Sequence, residues 1–343
     1  MCFRFKHRLR GSFILSVHQI VLFFFIVFFP VFLFASNDII YVKSNANGDG
    51  SSWSQAMGNL HQAIRKATYG TEIWIANGIY YTTETNDRNA SFQIPKGIKL
   101  YGGFSGQETS CIERKPLLYQ TILSGAIGSL SNNDNAYSVI YTYEANGDTV
   151  IDGFYIEGGN ANEYKAQQGS RSRSGGGWYN EVGKSISSPI VRNCIFRDNK
   201  AIDGGAIYNN ALKSDNSIII INSQFIGNVA MSDGGAIYND CRLEGQSNLV
   251  VRGTIFQLNE SNNGGCIFNY SFNGNGYGQL TNCQFASNRA MSRGSIIYDG
   301  SFKSRSFDVN NCNFLDNVSH EGNPFYQIGK GDARIQEVKV KRI

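Results

Sequence analysis

Histidine is nearly missing from this chain: four occur in 343 residues, and beyond the first 35 only His61 and His320 remain. One falls in a predicted helix and the other in a corner, so acid/base chemistry centred on imidazole has little to build on. No Cys-x-x-Cys pair and no Cys/His spacing is present, which leaves no zinc motif. No Gly-rich loop opens a helix, because the Gly pairs precede strands, and this removes the phosphate-cradling motifs. Proline is scarce at 5 residues and charged residues make up only 17%. What is abundant is Gly, at 38 residues, with many Asn and Ser, a composition that suits turn-rich β structure rather than helices.

The formal net charge of +4 has one origin, since Arg4, Lys6, Arg8 and Arg10 precede the apolar run 20–35 and the remainder sums to zero. A charged start, an apolar stretch and small Ala35 before polar Ser36 predict a signal peptide over 1–35, cleaved near Ala35. The run is shorter than the roughly 20 residues of a membrane span and contains Pro30. The expectation is a secreted mature chain without a membrane span, an uncleaved anchor being the alternative. With the leader set aside, no basic footprint for nucleic acid is left.

Beyond the leader one pattern returns at thirty-residue intervals. Gly204-Gly205-Ala206-Ile207-Tyr208-Asn209 recurs from Gly234, from Gly264 and, degraded, from Gly294. A second motif, Phe-x-x-Asn, begins at Phe196, Phe225, Phe256, Phe285 and Phe314, each after a short β-prone run. No such run is long enough for a helix, and a fixed period in this range marks a solenoid. Each repeat reads as one coil of a parallel β-helix whose strands pair about 4.8 Å away along the axis. Stacking then places Asn193, Asn222, Asn282 and Asn311 in one column, and Asn199, Asn228, Asn259, Asn288 and Asn317 in another. Amides carry donor and acceptor, so both columns are expected to bond along the stack as scaffold. Ile207, Ile237, Ile267 and Ile297 form an apolar ladder. Cys194, Cys283 and Cys312 share a column with Ser223 and Thr254, which predicts buried thiols, with a Cys283–Cys312 disulfide as the less favoured alternative.

Upstream, Ile39 to Val42 reads as an entry strand. Trp53, Met57, Leu60 and Ile64 fall at helical spacing with Gly70 as a stop, predicting an amphipathic capping helix within an N-terminal cap over 36–70. The β-helix takes 71–343, most regular over 150–326. The polar stretch 162–174 interrupts the early coils and reads as a protruding loop. At the far end, residues 338–341 alternate like a terminal strand.

The paired Gly-Gly-Ala-Ile and Phe-x-x-Asn motifs resemble the repeats of chlamydial polymorphic outer-membrane proteins. Tyr41-Val42, Gly50-Ser51-Ser52-Trp53, Ile73-Trp74-Ile75, Gly78-Ile79-Tyr80 and Tyr101-Gly102-Gly103-Phe104 are similar to secreted β-helix surface proteins of Bacteroidetes. The resemblance implies an all-β, right-handed, single-stranded parallel β-helix of the pectin-lyase-like kind. It also implies residence outside the cell, at the outer-membrane surface of a Gram-negative bacterium, and an adhesin-like role. The chlamydial proteins end in a membrane barrel, and many of the Bacteroidetes proteins in a sorting domain; this sequence carries the motif of neither.

Two columns carry candidate chemistry. Asp203, Asp233, Asn263, Arg293 and Glu321 precede the Gly pairs; Asp203 and Asp233 as Ca²⁺ ligands with Arg293 as partner would suit a polysaccharide lyase or hydrolase on acidic glycans. The plainer reading is that such residues suit the corner. Tyr179, Tyr208, Tyr238, Phe268 and Tyr298 follow the Ile ladder by one residue and face opposite to it, inward or outward. Facing outward, they would offer aromatic rings to sugars. The favoured expectation is therefore a non-catalytic module, without cofactor, that binds a polysaccharide or a surface protein of a host or neighbouring cell. Partner choice is expected in the loops 210–216, 241–247, 271–278 and 301–305, which vary while the coil does not.

Overall fold

The computed structural model describes residues 38–128, 131–183, 186–301, 307–328, 334–336 and 339–341. The predicted leader therefore lies outside the described residues, as does most of the loop 301–305. The described chain is a parallel β-helix with one α-helix, and every strand pairing in it is parallel.

One coil shows how the sequence winds. Ile190–Arg192 lies in an eleven-stranded sheet (A), Ile195–Arg197 in a nine-stranded sheet (B), Lys200–Asp203 in a six-stranded sheet (C) and Ile207–Asn210 in an eight-stranded sheet (D). Between A and B the chain turns at Asn193, and between B and C at Asp198, both with φ of 53°. The corner from C to D is the Gly pair, and its two members have different reasons. Gly204 adopts φ of 67°, a region that costs an ordinary L-residue about 1–2 kcal/mol. At Gly205 a Cβ would lie 2.3 Å from the Gly235 carbonyl oxygen one coil on, so the coils meet there backbone to backbone.

Like residues pair with like as the thirty-residue period predicts. Ile207 is in register with Ile237, Tyr208 with Tyr238 and Asn209 with Asn239, and the same columns continue to Ile267 and Ile297. The interior is filled by the Ile ladder, by Phe196, Phe225, Phe256, Phe285 and Phe314, and by Val191, Ile220, Val251, Leu280 and Val309. Phe196, Phe225, Phe256 and Phe285 stack at centroid separations of 4.9–5.0 Å.

The two expected Asn columns part company. Asn199, Asn228, Asn259, Asn288 and Asn317 form a continuous amide ladder, each Nδ2 donating to the next Oδ1 at 2.8–3.1 Å. Each Nδ2 from Asn228 onward also donates to the carbonyl of the preceding coil's Phe. Asn193, Asn222, Asn282 and Asn311 instead all have positive φ, and Gly253 takes the same place with φ of 58°. That column is selected for backbone conformation, since Asn tolerates the left-handed region better than most residues; only Asn311 donates to Asn282 along it.

A further ladder escaped the sequence reading. Asn180, Asn209, Asn239 and Asn269 donate in turn at 2.7–2.9 Å, ending on Asp299 Oδ1. They are buried, two residues past the Ile ladder and so on the same inward face. The Cys column is also hydrogen-bonded. Ser223 Oγ accepts from Cys194 N at 3.2 Å and Cys312 Sγ accepts from Cys283 N at 3.4 Å. All three cysteines are buried free thiols, standing where neighbouring coils place hydroxyls.

The cap differs from expectation in one respect. The α-helix, α1, is only Leu60–Lys66, capped by Asn59, whose Oδ1 accepts from Gln62 N at 3.0 Å. Trp53 belongs to a separate 3₁₀ turn and packs on Tyr41 and Phe104, outside sheet A. The spacing joined two elements because Trp53 and Leu60 are each anchored, but on different faces. The terminal strand is present as Lys339–Lys341, paired with Asn313–Leu315. No helix among the described residues is long and apolar enough to cross a membrane.

Candidate functional site

The aromatic row occupies the face of sheet D opposite the Ile ladder, outside the coil, as alternation requires. Tyr179, Tyr208, Tyr238, Phe268 and Tyr298 form an apolar cluster of their own, separate from the interior. Their rings do not stand side by side facing solvent. They pile on one another, with centroids 5.5, 5.0, 4.9 and 4.7 Å apart from Tyr179 to Tyr298 and Tyr326 continuing at 5.0 Å. A coil spacing of about 4.8 Å is itself an aromatic stacking distance, so each ring face is taken up by the ring on the next coil.

The row is also covered. The stretch 162–174 does not protrude; it folds back as a strap across the first three tyrosines. Tyr179 Oη donates to Gly169 O at 2.6 Å, and Gln168 Nε2 donates to Tyr238 Oη at 3.3 Å. Arg242 reaches the strap through Gln168 Oε1 at 2.8 Å and also holds Asp240, which accepts from Tyr208 Oη at 2.6 Å. Tyr208 and Tyr238 are fully buried, and burial pushes both phenols well above their usual range. Past the strap Phe268 and Tyr298 stay buried, and the row becomes half-buried at Tyr326.

Along one edge of this row runs the column before the Gly pairs. Asp203 is in register with Asp233, Asp233 with Asn263 and Asn263 with Arg293. The two aspartates are thus neighbours, while Arg293 lies two coils beyond Asp233. Asp203 Oδ2 accepts from Arg173 Nε of the strap at 2.8 Å, and its Oδ1 is buried without a partner. Asp233 accepts from Asn263 at 2.9 Å and from Ser232 at 3.0 Å. Burial raises both carboxyl pKa values, Arg173 opposing the rise at Asp203 and Asn263 at Asp233. Arg293 pairs with Glu321 at 2.6 Å, its guanidinium over the Tyr326 ring. The pair does not fit Ca²⁺: the oxygens of Asp233 are turned to an amide and a hydroxyl, and Asp203 holds a guanidinium. Among the described residues no group of three His, Cys, Asp or Glu side chains is arranged to hold a metal ion.

The loops between sheets D and A, described except for 302–306, are less free than their sequence variation suggested. Asp215–Asn216 pairs with Gln246–Ser247, and Ala211, Leu243 and Glu244 donate their N–H groups to carbonyls of the next coil. They stack as the strands do.

A second region, which the sequence reading did not single out, lies at the amino-terminal end. A cleft of about 930 Å³ opens between α1, the strand Gly78–Tyr81 and the stretch 82–91. His61 stacks on Phe92 at 4.7 Å and lies 3.4 Å from the Tyr81 carbonyl; burial lowers its pKa. The missing signal was positional, since these residues precede the regular thirty-residue repeat.

Compared with known proteins, the chain matches no family model, no curated protein and no solved structure.

Proposed function

We propose that this chain is a secreted, surface-displayed β-helix that binds a polysaccharide, or a protein of a host or neighbouring cell, without cutting it. The observation that carries the reading is the half-buried end of the outer aromatic row at Tyr326, with Arg293 and Glu321 alongside. Tyr326 offers a hydroxyl edge and Arg293 a planar donor, the groups that meet a polyhydroxylated chain. Tyr179, Tyr208 and Tyr238 contribute from beneath the strap by holding the pile rigid. Resemblance to outer-membrane and surface β-helices, and the signal-peptide pattern, support placement at the surface of a Gram-negative bacterium.

A glycan array read together with polymer length tests this. Binding that leaves the polymer intact and weakens at least tenfold in Tyr326→Ala is expected. The adjacent Asp203–Asp233 pair, with carboxyls raised by burial, favours a second reading, a lyase acting on acidic glycans. Unsaturated products absorbing in the ultraviolet, lost in Asp233→Asn, would establish that reading instead.

A further inference from the structure

We propose that the cleft beside α1 is a binding site for a neutral saccharide of one to three rings, distinct from the aromatic row. Its volume, about 930 Å³, lies in the range of small-ligand sites. The inference rests on three features that meet there.

The first is an open sheet edge. Among the described residues Gly78–Tyr81 is the outermost strand at this end of sheet B, pairing only with Thr121–Ser124. Gly78 N and Thr82 N donate toward that neighbour, to Gln120 O and Ser124 O. Alternate residues of a strand direct their backbone groups to opposite sides. The N–H and C=O of Ile79 and Tyr81 therefore face away from the sheet, into the cleft, where His61 meets the Tyr81 carbonyl. An unpaired edge in a cleft calls for donors and acceptors together, which hydroxyl groups supply.

The second is a buried polar atom without a partner. Thr82 lines the cleft, is 1% exposed, and its Oγ1 makes no hydrogen bond. Such an atom costs on the order of 1–3 kcal/mol unless something pairs with it, and a ligand hydroxyl can both give to it and accept from it.

The third is the character of the walls. Tyr81 and Ile79 are 49% and 46% exposed, an aromatic and an aliphatic side chain presented at the rim of a mainly polar cavity. Amides and hydroxyls, Asn45, Asn89, Thr83 and Gln93 among them, supply paired donors and acceptors around it. Charge is balanced: Arg65 stands against Glu84 and Asp87, while Arg171 is committed to Asn89 O and Ser91 Oγ. A strongly anionic ligand gains little from such a lining, and a neutral polyol fits it.

The test uses the full chain and saturation-transfer NMR with glucose, galactose, mannose, N-acetylglucosamine and their β-linked dimers, with galacturonate as the acidic comparison. Transfer to at least one neutral sugar is expected, with affinity reduced at least tenfold in Tyr81→Ala and Thr82→Val and unchanged in Met231→Ala, an exposed side chain outside both the cleft and the aromatic row. Tyr81 and Thr82 line the cleft and lie outside the aromatic row, so polymer binding at the row is measured apart from sugar binding in the cleft and either site can fail alone. Should Tyr81→Ala fold poorly, hydrogen exchange on the unaltered protein replaces it, and the Ile79 and Tyr81 amides are expected to gain protection when the bound sugar is added. The proposal is overturned if no neutral sugar binds at 10 mM, or if galacturonate alone binds. It is equally overturned if binding survives both cleft substitutions, or if sugar leaves those two amides unchanged.

Discussion

Asn199 and Asn228 lie one coil apart, and the Asn199 side chain donates to Asn228 Oδ1 at 3.1 Å while its backbone N–H donates to the same oxygen at 3.2 Å. Asn228 in turn donates to Asn259 Oδ1 and to the Phe196 carbonyl, so its two donors and two lone pairs are all used inside the coil. Loss of this one side chain leaves several buried groups unpaired at once.

Asn228→Ala is accordingly expected to cost about 3–5 kcal/mol. Asn222→Gly, six residues earlier in the same coil, is expected to change stability by less than about 0.5 kcal/mol, because Asn222 is exposed and its φ of 47° suits Gly at least as well. Denaturant melts of the two variants check this, and similar losses in both would remove the distinction between the columns.

Leu258 holds the left-handed corner position that Gly227 fills one coil earlier, with φ of 56° and 55% exposure. Leu258→Gly gives up little contact and relieves backbone strain, so a gain of about 1 kcal/mol is expected. A lower melting temperature would show that Leu258 is held by packing instead.

Asp203 and Asp233 both bind their protons more tightly in the folded chain than in the unfolded one. Folding therefore takes up protons just above the ordinary carboxylate range, and stability falls as pH rises through that window. Asp233→Asn removes one of these groups and its repulsion with Asp203. Its gain at pH 7 is expected to be on the order of 1 kcal/mol or below, vanishing in acid where the carboxyl is protonated. Thermal melts across pH 3–8 measure it; a variant less stable at pH 7 than at pH 4, relative to the parent, contradicts it.

The strap is tied down by polar contacts, with Arg173 on Asp203 at its carboxyl end. Arg173→Ala is expected to speed hydrogen exchange of the amides over 163–172 about tenfold while leaving the Ile207–Asn210 strand unchanged. Equal acceleration in both would mean that strap and sheet open as one unit.

The thirty-residue period by itself fixed the parallel coil, the Ile ladder and the amide ladder at Asn199, because in a stacked fold sequence spacing is spatial spacing. The same period placed Asp203 beside Asp233 and Arg293 two coils farther on. It was silent on what lies across the outside of the sheet, since the strap 162–174 carries no repeat. Only the tertiary structure put Gly169 over Tyr179, turned the aromatic faces upon one another, and separated Asn222 at a left-handed corner from Asn228 in a buried ladder. It alone gathered α1 and the 79–93 segment around a cleft. Repetition encodes contacts along the axis, whereas contacts across it are made once each, by residues with no counterpart in the next coil, and leave no period to read.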